Sequence, residues 1–398
     1  MIESSVPVRS RRLAWARTSV LIGFAVLTGL IAPVASAAEG EALPMPRLPG
    51  SLQTRLVEAV MRPTGLASYG GWVAWSRYDP VHRGYELMTS NPAGLVAPVS
   101  VAENSEEFEV GLGPLRSGAV GAIFARCKNA ARAQGCNLEE IEIGSGIPHE
   151  KRLLVPGGGS LFRPALWKGR IAFLRAVPHG GYRHPVEMFE WTSGSKRLRA
   201  LALPRNKIPR ESLESSSRSF DGYTGEITGL TLNGTRVAYT RVAPYLECCT
   251  VSDLWVQRPG QQPKLIDSTG TGGGAAYGTR TYLSPTIVGP WLYSYRQYHE
   301  PGLADGEPAW VRFNLTSSAT QQARVAFGEH EEFGGGAEGE GDLEAVLPRQ
   351  GGVAWVLRDR GTRSERAAFV LSLPAVKWRT IKRREGCSGP HKRRSDCH

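Results

Sequence analysis

A short motif recurs six times along the chain, and it constrains the fold more than any other feature of the sequence. Each copy consists of a glycine-containing turn, a run of hydrophobic and aromatic residues, and an arginine. The arginines are 49, 49, 66, 55 and 62 residues apart, and they are Arg77, Arg126, Arg175, Arg241, Arg296 and Arg358. Self-similarity with a period of 20 to 50 residues or slightly more is typical of repeat architectures.

Each copy lies inside a pattern of four short strands. In the third copy the pattern predicts strands over residues 161–167, 170–177, 186–191 and 197–203, with tight turns at 168–169 and 193–194. Short runs rich in aromatic and β-branched residues, separated by glycine, favour strands over helices. Four antiparallel strands in about 50 residues match one blade of a β-propeller. A sandwich, or a pair of all-β domains, is the simpler alternative.

The repeat count predicts an all-β fold with six blades between residues 63 and 384, and seven blades is the next choice. One four-stranded sheet cannot bury both of its faces, whereas in a ring every face packs against a neighbour. The hydrophobic share of 41 % supplies the material for such a core. We expect the six arginines to lie on equivalent second strands.

The pattern resembles the exported six-bladed propellers of the TolB-like and WD-repeat-like superfamily. The segments 162–165 (Phe-Arg-Pro-Ala) and 283–286 (Leu-Ser-Pro-Thr) are partial versions of the Ser-Pro-Asp-Gly turn of TolB-type repeats. The full turn is absent. The resemblance therefore implies a secreted six-bladed propeller, and the colicin-import and lipoprotein-partner roles of TolB do not carry over.

The first 37 residues have the organisation of a signal peptide. Four arginines within residues 9–17 precede an uncharged apolar run at 20–34, and Ala35-Ser36-Ala37 gives a small-x-small cleavage pattern. An uncleaved membrane anchor is the alternative. We expect a secreted protein, or one on the exterior of the cell envelope, and leave open whether export follows the general or the twin-arginine route.

The remaining boundaries follow from composition. The composition predicts a linker at residues 38–62, with a short amphipathic helix over 51–62, followed by the propeller at 63–384. A basic tail at 385–398 accounts for part of the net charge of +11 and is suited to peripheral contact with an anionic cell surface. We expect a monomer.

Six cysteines in an exported chain predict disulfides. Local spacing favours Cys127 with Cys136, which bracket a loop of the second unit, and Cys387 with Cys397 in the tail. Cys248 and Cys249 are adjacent and remain; a bond between them would be a strained vicinal disulfide. Metal binding by these two is the other possibility.

Loops that join second to third strands, and loops that join successive blades, emerge on one face of a propeller. We call this the long-loop face, because it receives the longest segments of this chain, and binding residues usually lie on such loops. It carries carboxylates that we expect to form an acidic arc near the channel mouth, together with histidines and a tyrosine. The candidate binding residues are Glu103, Glu106, Glu107, His82, His179, His184, Tyr298, His299, Glu338, Glu340 and Asp342.

The compact enzyme motifs are missing from the sequence. It contains no Gly-x-Ser-x-Gly elbow, no His-Glu-x-x-His helix and no phosphate-binding Gly-Lys-Ser/Thr loop. The sequence therefore favours a non-catalytic propeller that binds a protein, peptide or glycan at its long-loop face. A glycan hydrolase or lyase that uses loop carboxylates and histidines is the alternative. No cofactor is required, although the acidic arc suits a divalent cation such as calcium, and no nucleic acid is expected.

Overall fold

Every regular element in the described part of the chain is a β-strand. The computed structural model describes residues 55–61, 66–130, 132–144, 150–178, 186–205, 224–245, 249–270, 280–298, 309–324, 342–349, 352–358, 367–374 and 377–381. All of them belong to one compact unit, Leu43–His398. Within these ranges there is no helix with the length and apolarity that crossing a membrane requires.

The strands fall into groups of four along the chain. The first ones are β1 (Arg55–Met61), β2 (Ala67–Tyr69), β3 (Trp72–Asp79), β4 (Gly84–Ser90), β5 (Val96–Pro98), β6 (Glu109–Pro114), β7 (Val120–Arg126), β8 (Asn137–Glu142) and β9 (Lys151–Arg152). The middle ones are β10 (Leu161–Trp167), β11 (Arg170–Ala176), β12 (Val186–Thr192), β13 (Leu198–Leu201), β14 (Glu226–Asn233), β15 (Arg236–Tyr245), β16 (Cys249–Gln257) and β17 (Lys264–Gly270). The last ones are β18 (Arg280–Val288), β19 (Trp291–Tyr298), β20 (Ala309–Asn314), β21 (Thr320–Arg324), β22 (Asp342–Arg349), β23 (Gly352–Arg358), β24 (Ala367–Pro374) and β25 (Arg379–Ile381).

The protein is a β-propeller with four-stranded antiparallel blades. Five blades consist of strands in sequence order: β2 to β5, β6 to β9, β10 to β13, β14 to β17 and β18 to β21. We number these blades one to five. A further sheet has the order β1-β24-β23-β22, so it combines a strand from before the first blade with three from after the fifth.

The strand β1 corrects the helix predicted over residues 51–62. Residues 55–61 pair antiparallel with β24, with Glu58 opposite Val370 and Ala59 opposite Phe369. An unpaired strand edge exposes a row of N–H and C=O groups, and β1 satisfies that edge of β24. The chain after β24 does not return to it: β25 pairs with β21 and becomes a fifth strand of blade five.

The glycines of the repeated motif fit the turns that join first to second strands. Gly70 and Gly71 have φ of 57° and 85°, and Lys168 and Gly169 have φ of 51° and 74°. Two successive positive φ angles define the type I′ turn, whose twist matches that of the paired strands. The tight turn predicted at 168–169 is therefore confirmed.

The first strands of successive sheets approach one another closely around the propeller axis. Contacts run from β2 to β6, to β10, to β14, to β18, to β22 and from β22 back to β2. A Cβ atom on Gly111 would lie 2.3 Å from the carbonyl oxygen of Pro164, and one on Gly113 would lie 2.0 Å from that of Leu166. Only glycine permits β6 to approach the β10 backbone this closely.

The second strands supply the centre of the core. Their aromatic side chains Trp75, Phe124, Phe173 and Tyr239 are buried, and so are the alanines Ala74, Ala122, Ala172 and Ala238. Large and small side chains therefore alternate in the core of the second strands. Facing sheets interdigitate at such positions and keep water out.

In each of the five blades the repeated arginine lies on the second strand, as predicted: β3, β7, β11, β15 and β19. The sixth, Arg358, ends β23 of the further sheet. In blades one to four the arginine pairs with a carboxylate on the third strand of its own blade. The pairs are Arg77–Glu86, Arg126–Glu139, Arg175–Glu187 and Arg241–Asp253. In blade five Arg296 donates a 3.4 Å hydrogen bond to Gln322 instead.

In blades two and four the arginine also holds the segment that arrives from the preceding blade. Arg126 donates to the carbonyl oxygens of Ala102 and Glu103 at 2.7 and 3.1 Å, and Arg241 donates to that of Pro204 at 3.2 Å. Each of these guanidinium groups therefore joins its own blade to the previous one.

The equivalent ion pairs of blades three and four should contribute very differently to the free energy of unfolding. The Arg241 and Asp253 side chains are 7 % and 4 % exposed, whereas Glu187 beside Arg175 is 51 % exposed. Arg241→Ala leaves a buried carboxylate without its cation and should cost about 3–5 kcal/mol of unfolding free energy. Arg175→Ala is the matched control and should cost at most about 1 kcal/mol. Urea unfolding measures both, and equal losses would contradict this account.

Candidate binding site at the junction of blades one and two

Two segments of the long-loop face meet beside blade one. The turn at 80–83 joins β3 to β4, and the segment at 99–108 leads from β5 to β6. Asn104 and Tyr85 exchange backbone hydrogen bonds of 2.6 and 3.1 Å. The absence of a side chain at Gly84 leaves room for the segment, since a Cβ there would lie 3.3 Å from the Asn104 carbonyl oxygen.

This meeting brings together Asp79, His82 and Glu103. The His82 Nδ1 atom lies 2.6 Å from Asp79 Oδ2 and 3.3 Å from Glu103 Oε1. One ligand atom from each residue lies within 4.8 Å of the others, and the three form the one such metal-compatible group found in the described residues. The imidazole is 61 % exposed, so the group is open to solvent. We call it the rim triad.

The electrostatics of the rim triad favour the protonated form of His82 and the ionised form of Asp79. The hydrogen bond with Asp79, followed by the charge of Glu103, raises the pKa of His82 above 6.5. The backbone N–H of Val81 donates to Asp79 Oδ1 at 2.8 Å and, with His82, lowers the pKa of Asp79. The triad therefore has two carboxylates and only one neutralising group of its own.

Arg126 fixes the backbone that carries Glu103. Besides its bonds to the carbonyl oxygens of Ala102 and Glu103, it donates to Glu139 Oε2 at 2.9 Å and to Glu150 Oε1 at 2.7 Å. Burial opposes the charge of the guanidinium, but the hydrogen bonds to both carboxylates outweigh it and raise the pKa of Arg126. Glu103 is thus presented by a segment anchored to blade two.

The two carboxylates beside Arg126 differ in acidity. Burial raises the pKa of Glu139, and a hydrogen bond with Glu150 raises it further. Burial also opposes ionisation of Glu150, but the hydrogen bonds from Glu139 and Arg126 prevail and lower its pKa. Glu139 is therefore the member of the pair that holds a proton more readily.

A disulfide supports the other side of the same segment. Cys127 and Cys136 are bonded, with their Cα atoms 3.9 Å apart, as the sequence predicted. Asn104 donates to the carbonyl oxygen of Cys127 at 3.3 Å, and Ala130 N–H donates to Glu106 Oε2 at 3.2 Å. Glu106 is therefore an internal acceptor that helps to fix the loop.

The axis of the propeller is a narrow channel of about 300 Å³. First strands of the successive sheets line it, together with the residues just before β6. Arg163 and Glu109 form an ion pair of 3.4 Å within it, and the Arg163 N–H donates to Glu109 Oε2 at 2.6 Å. Glu107, one of the predicted arc residues, lies on the same lining.

The two Pro-containing segments quoted for the TolB resemblance are bulges on first strands. The register shifts between Phe162 and Ala165 in β10, and between Leu283 and Thr286 in β18. Arg163 and Ser284, which precede the prolines, have φ of 50° and 46°. Both segments line the channel, which neither sequence pattern alone indicated.

The structure brings together only some of the predicted site residues. His82 and Glu103 meet, Glu106 bonds within its own loop, and Glu107 lies at the channel. Tyr298 and Asp342 are described as backbone positions at the ends of β19 and β22, and Cys249 as one in β16. The other predicted residues lie outside the described residues: His179, His184, His299, Glu338, Glu340, Cys248, Cys387 and Cys397.

Sequence reasoning missed Asp79, Arg163, Glu139 and Glu150. Asp79 had a usable signal, since it ends a strand and lies three residues before His82 in a Pro-containing turn. The others had none, because their partners come from different strands or blades.

No protein-family model matches the sequence, and no curated protein matches it either. Among solved structures, the β-propeller domain of the Trilobed protease from Pyrococcus furiosus is similar at 8 % identity, over 81 % of this chain and 98 % of that one, with a TM-score of 0.41. A glucose dehydrogenase is similar at 12 % identity, over 81 % of this chain and 99 % of that one, with a TM-score of 0.40.

The Pyrococcus horikoshii acylaminoacyl peptidase is 10 % identical over 83 % of this chain and 53 % of that one, with a TM-score of 0.38. This chain thus spans about half of that peptidase. At these identities and TM-scores, none of the three similarities bears on what this chain does.

Replacing Asp79 by Asn should lower the pKa of His82 back toward its ordinary value of 6.5, because the largest cause of the rise is removed. NMR titration of the imidazole measures this, with His82→Gln identifying the resonance. The raised pKa stabilises the fold fully below pH 6.5, and this contribution is lost as the pH rises through the folded-state value. His82→Gln should remove that fall in stability. An unchanged titration in Asp79→Asn would contradict the assignment.

Proposed function

We propose that this protein is an exported, non-catalytic β-propeller that binds a protein, peptide or glycan at its long-loop face. The observation that carries the proposal is the rim triad, in which two carboxylates and an imidazole converge on an exposed site. Such a site attracts a positively charged group, and this favours a peptide or protein ligand with a Lys or Arg side chain over a neutral glycan.

The support of the triad is consistent with binding. Arg126, the disulfide and the Asn104 hydrogen bonds hold the Glu103 segment to two blades before any ligand arrives. A site held in place in advance loses little conformational entropy when it binds.

A divalent cation is the other occupant that the triad suits. One imidazole nitrogen and two carboxylate oxygens match the ligand preferences of zinc, with an open position for a water or a ligand group. Calcium, expected from the sequence for the acidic arc, prefers six to eight oxygen ligands, and the imidazole makes the triad a poorer calcium site.

The enzymatic alternative has one observation in its favour. Glu139 and Glu150 have pKa values displaced in opposite directions, as in many acid/base pairs. Both carboxylates, however, receive hydrogen bonds from Arg126 between two blades, and the Glu139 side chain is only 11 % exposed. This arrangement favours a structural role for the pair and a binding role for the protein.

We also propose that the β1-β24-β23-β22 sheet is a sixth blade that closes the ring. The contact of β22 with both β18 and β2, and the 3.0 Å hydrogen bond from Ser68 to the Pro348 carbonyl oxygen, support it. A closed six-bladed ring agrees with the TolB-like resemblance. Secretion is supported by the signal-peptide pattern and is consistent with the disulfide.

The rim triad should bind a cationic probe, and a Lys-rich octapeptide titrated by fluorescence anisotropy tests this. Zinc chloride with and without chelator is the second probe, read as the unfolding midpoint. A ligand that binds only the native state, at a concentration a hundred times its dissociation constant, adds about 2.7 kcal/mol to the free energy of unfolding. Asp79→Asn with Glu103→Gln should abolish both effects, and Glu226→Gln, an exposed residue of blade four, should leave them unchanged. Wild-type behaviour in the double variant would refute the site.

Closure through β1 predicts an alternating response to proline. Neighbouring residues of an edge strand direct their N–H groups alternately toward and away from the paired strand. We compare Ala59→Pro with Val60→Pro. The variant that removes a hydrogen bond to β24 should lower the free energy of unfolding by about 1–3 kcal/mol, and the other variant should lower it clearly less. Thermal unfolding measures both. If neither variant lowers the midpoint, β1 does not close a blade.

A further inference from the structure

A second site lies on the face opposite the long loops. It is a cleft of about 570 Å³ between blades three and four, lined by the turns that join first to second and third to fourth strands. Four arginines line it: Arg170, Arg197, Arg199 and Arg258. We call it the basic cleft.

Only one of the four arginines of the basic cleft is neutralised by a lining residue. Glu190 is its one acidic lining residue, and its Oε1 atom accepts hydrogen bonds from Arg170, 2.6 Å from Nε. Arg170 also donates to the carbonyl oxygen of Gly234, so its donors are used inside the protein. The side chains of Arg197, Arg199 and Arg258 are exposed, and no carboxylate among the described residues pairs with them.

A second cleft of about 220 Å³ continues the first toward blade five. It shares Arg258 and Gln261 with the basic cleft and adds Arg236 and Lys264, with no acidic residue in its lining. The two together form a groove, with cationic side chains along its length and amide side chains between them.

The linings also contain acceptors that lack donors. Glu190 is 7 % exposed and its Oε2 atom has no hydrogen-bond partner; the same holds for Oε1 of Gln257, which is 3 % exposed. Buried acceptors of this kind call for O–H or N–H donors. The exposed amide side chains of Gln261 and Gln262 also line the groove, so a ligand with both negative charges and hydroxyl groups would complement it.

We propose that this groove binds an anionic polysaccharide, with carboxylate or sulfate groups on the guanidinium ions and sugar hydroxyls on the exposed amide side chains. Guanidinium groups bind such planar or tetrahedral anions through charge-assisted hydrogen bonds. Single-stranded nucleic acid fits less well, because it requires exposed aromatic platforms. The aromatic lining residues of the two clefts, Trp191 and Phe313, are buried at 3 % and 5 % exposure.

Binding of an anionic polysaccharide to the groove is tested with octagalacturonate, a uronic acid oligomer. Calorimetric titration of this oligomer into the full chain at low salt measures the affinity. Its fully methyl-esterified form has the same sugars without the charges and should not bind. Arg197, Arg199 and Arg258, all three replaced by Glu, should weaken binding on the order of 1,000-fold, because each lost charged hydrogen bond costs about tenfold. Replacement of the same three by Gln should weaken it less.

The matched control reverses three exposed charges on blade two: Arg132→Glu, Lys151→Glu and Arg152→Glu. It changes the net charge equally but touches neither cleft. We expect near wild-type affinity for it, and also for Asp79→Asn with Glu103→Gln, because the groove and the rim triad are independent. Unfolding midpoints of all variants check that they are folded.

Three results would overturn the proposal. Equal losses in the cleft and control variants would mean that net charge alone attracts the probe. Equal binding of the esterified oligomer would exclude a role for the carboxylates. A single-stranded oligonucleotide of the same charge that binds more tightly, and loses affinity in the same cleft variant, would assign the groove to nucleic acid instead.

Discussion

The arrangement of blades two and four relative to the blades before them depends on an arginine of the second strand, Arg126 in blade two and Arg241 in blade four. In blades two and four its guanidinium group joins a carboxylate of the third strand to a carbonyl of the segment arriving from the blade before. Hydrophobic packing between sheets is strong but not directional. The planar guanidinium group, with its five N–H donors, makes directional hydrogen bonds. These bonds fix the position of one blade relative to the next.

This interaction also explains where the candidate site lies. The segment held by Arg126 is the one that carries Glu103, so a structural bond between blades one and two places a carboxylate beside His82. The disulfide and Asn104 hold the same loop from its other side. The contacts that join blades one and two therefore also position the site.

The two faces of the propeller have opposite character where they are described. The rim triad makes the long-loop face acidic beside blade one, and the groove from blade three to blade five makes the other face basic. Sequence reasoning selected the long-loop face because its segments are longer. It overlooked the short turns, whose arginines are scattered in sequence and become neighbours only when blades three and four pack together.

The sequence by itself determined the repeat, the second strands that carry its arginines, and the Cys127–Cys136 bond. These depend on local periodicity, turn glycines and short chain separation, which a single sequence displays. Only the tertiary structure decided that residues 55–61 form a strand, because their partner β24 lies more than 300 residues away. It also decided which charges meet: Glu109 with Arg163, and Asp79 with Glu103, become neighbours through contacts between strands and blades. Such contacts leave no periodic trace in the chain.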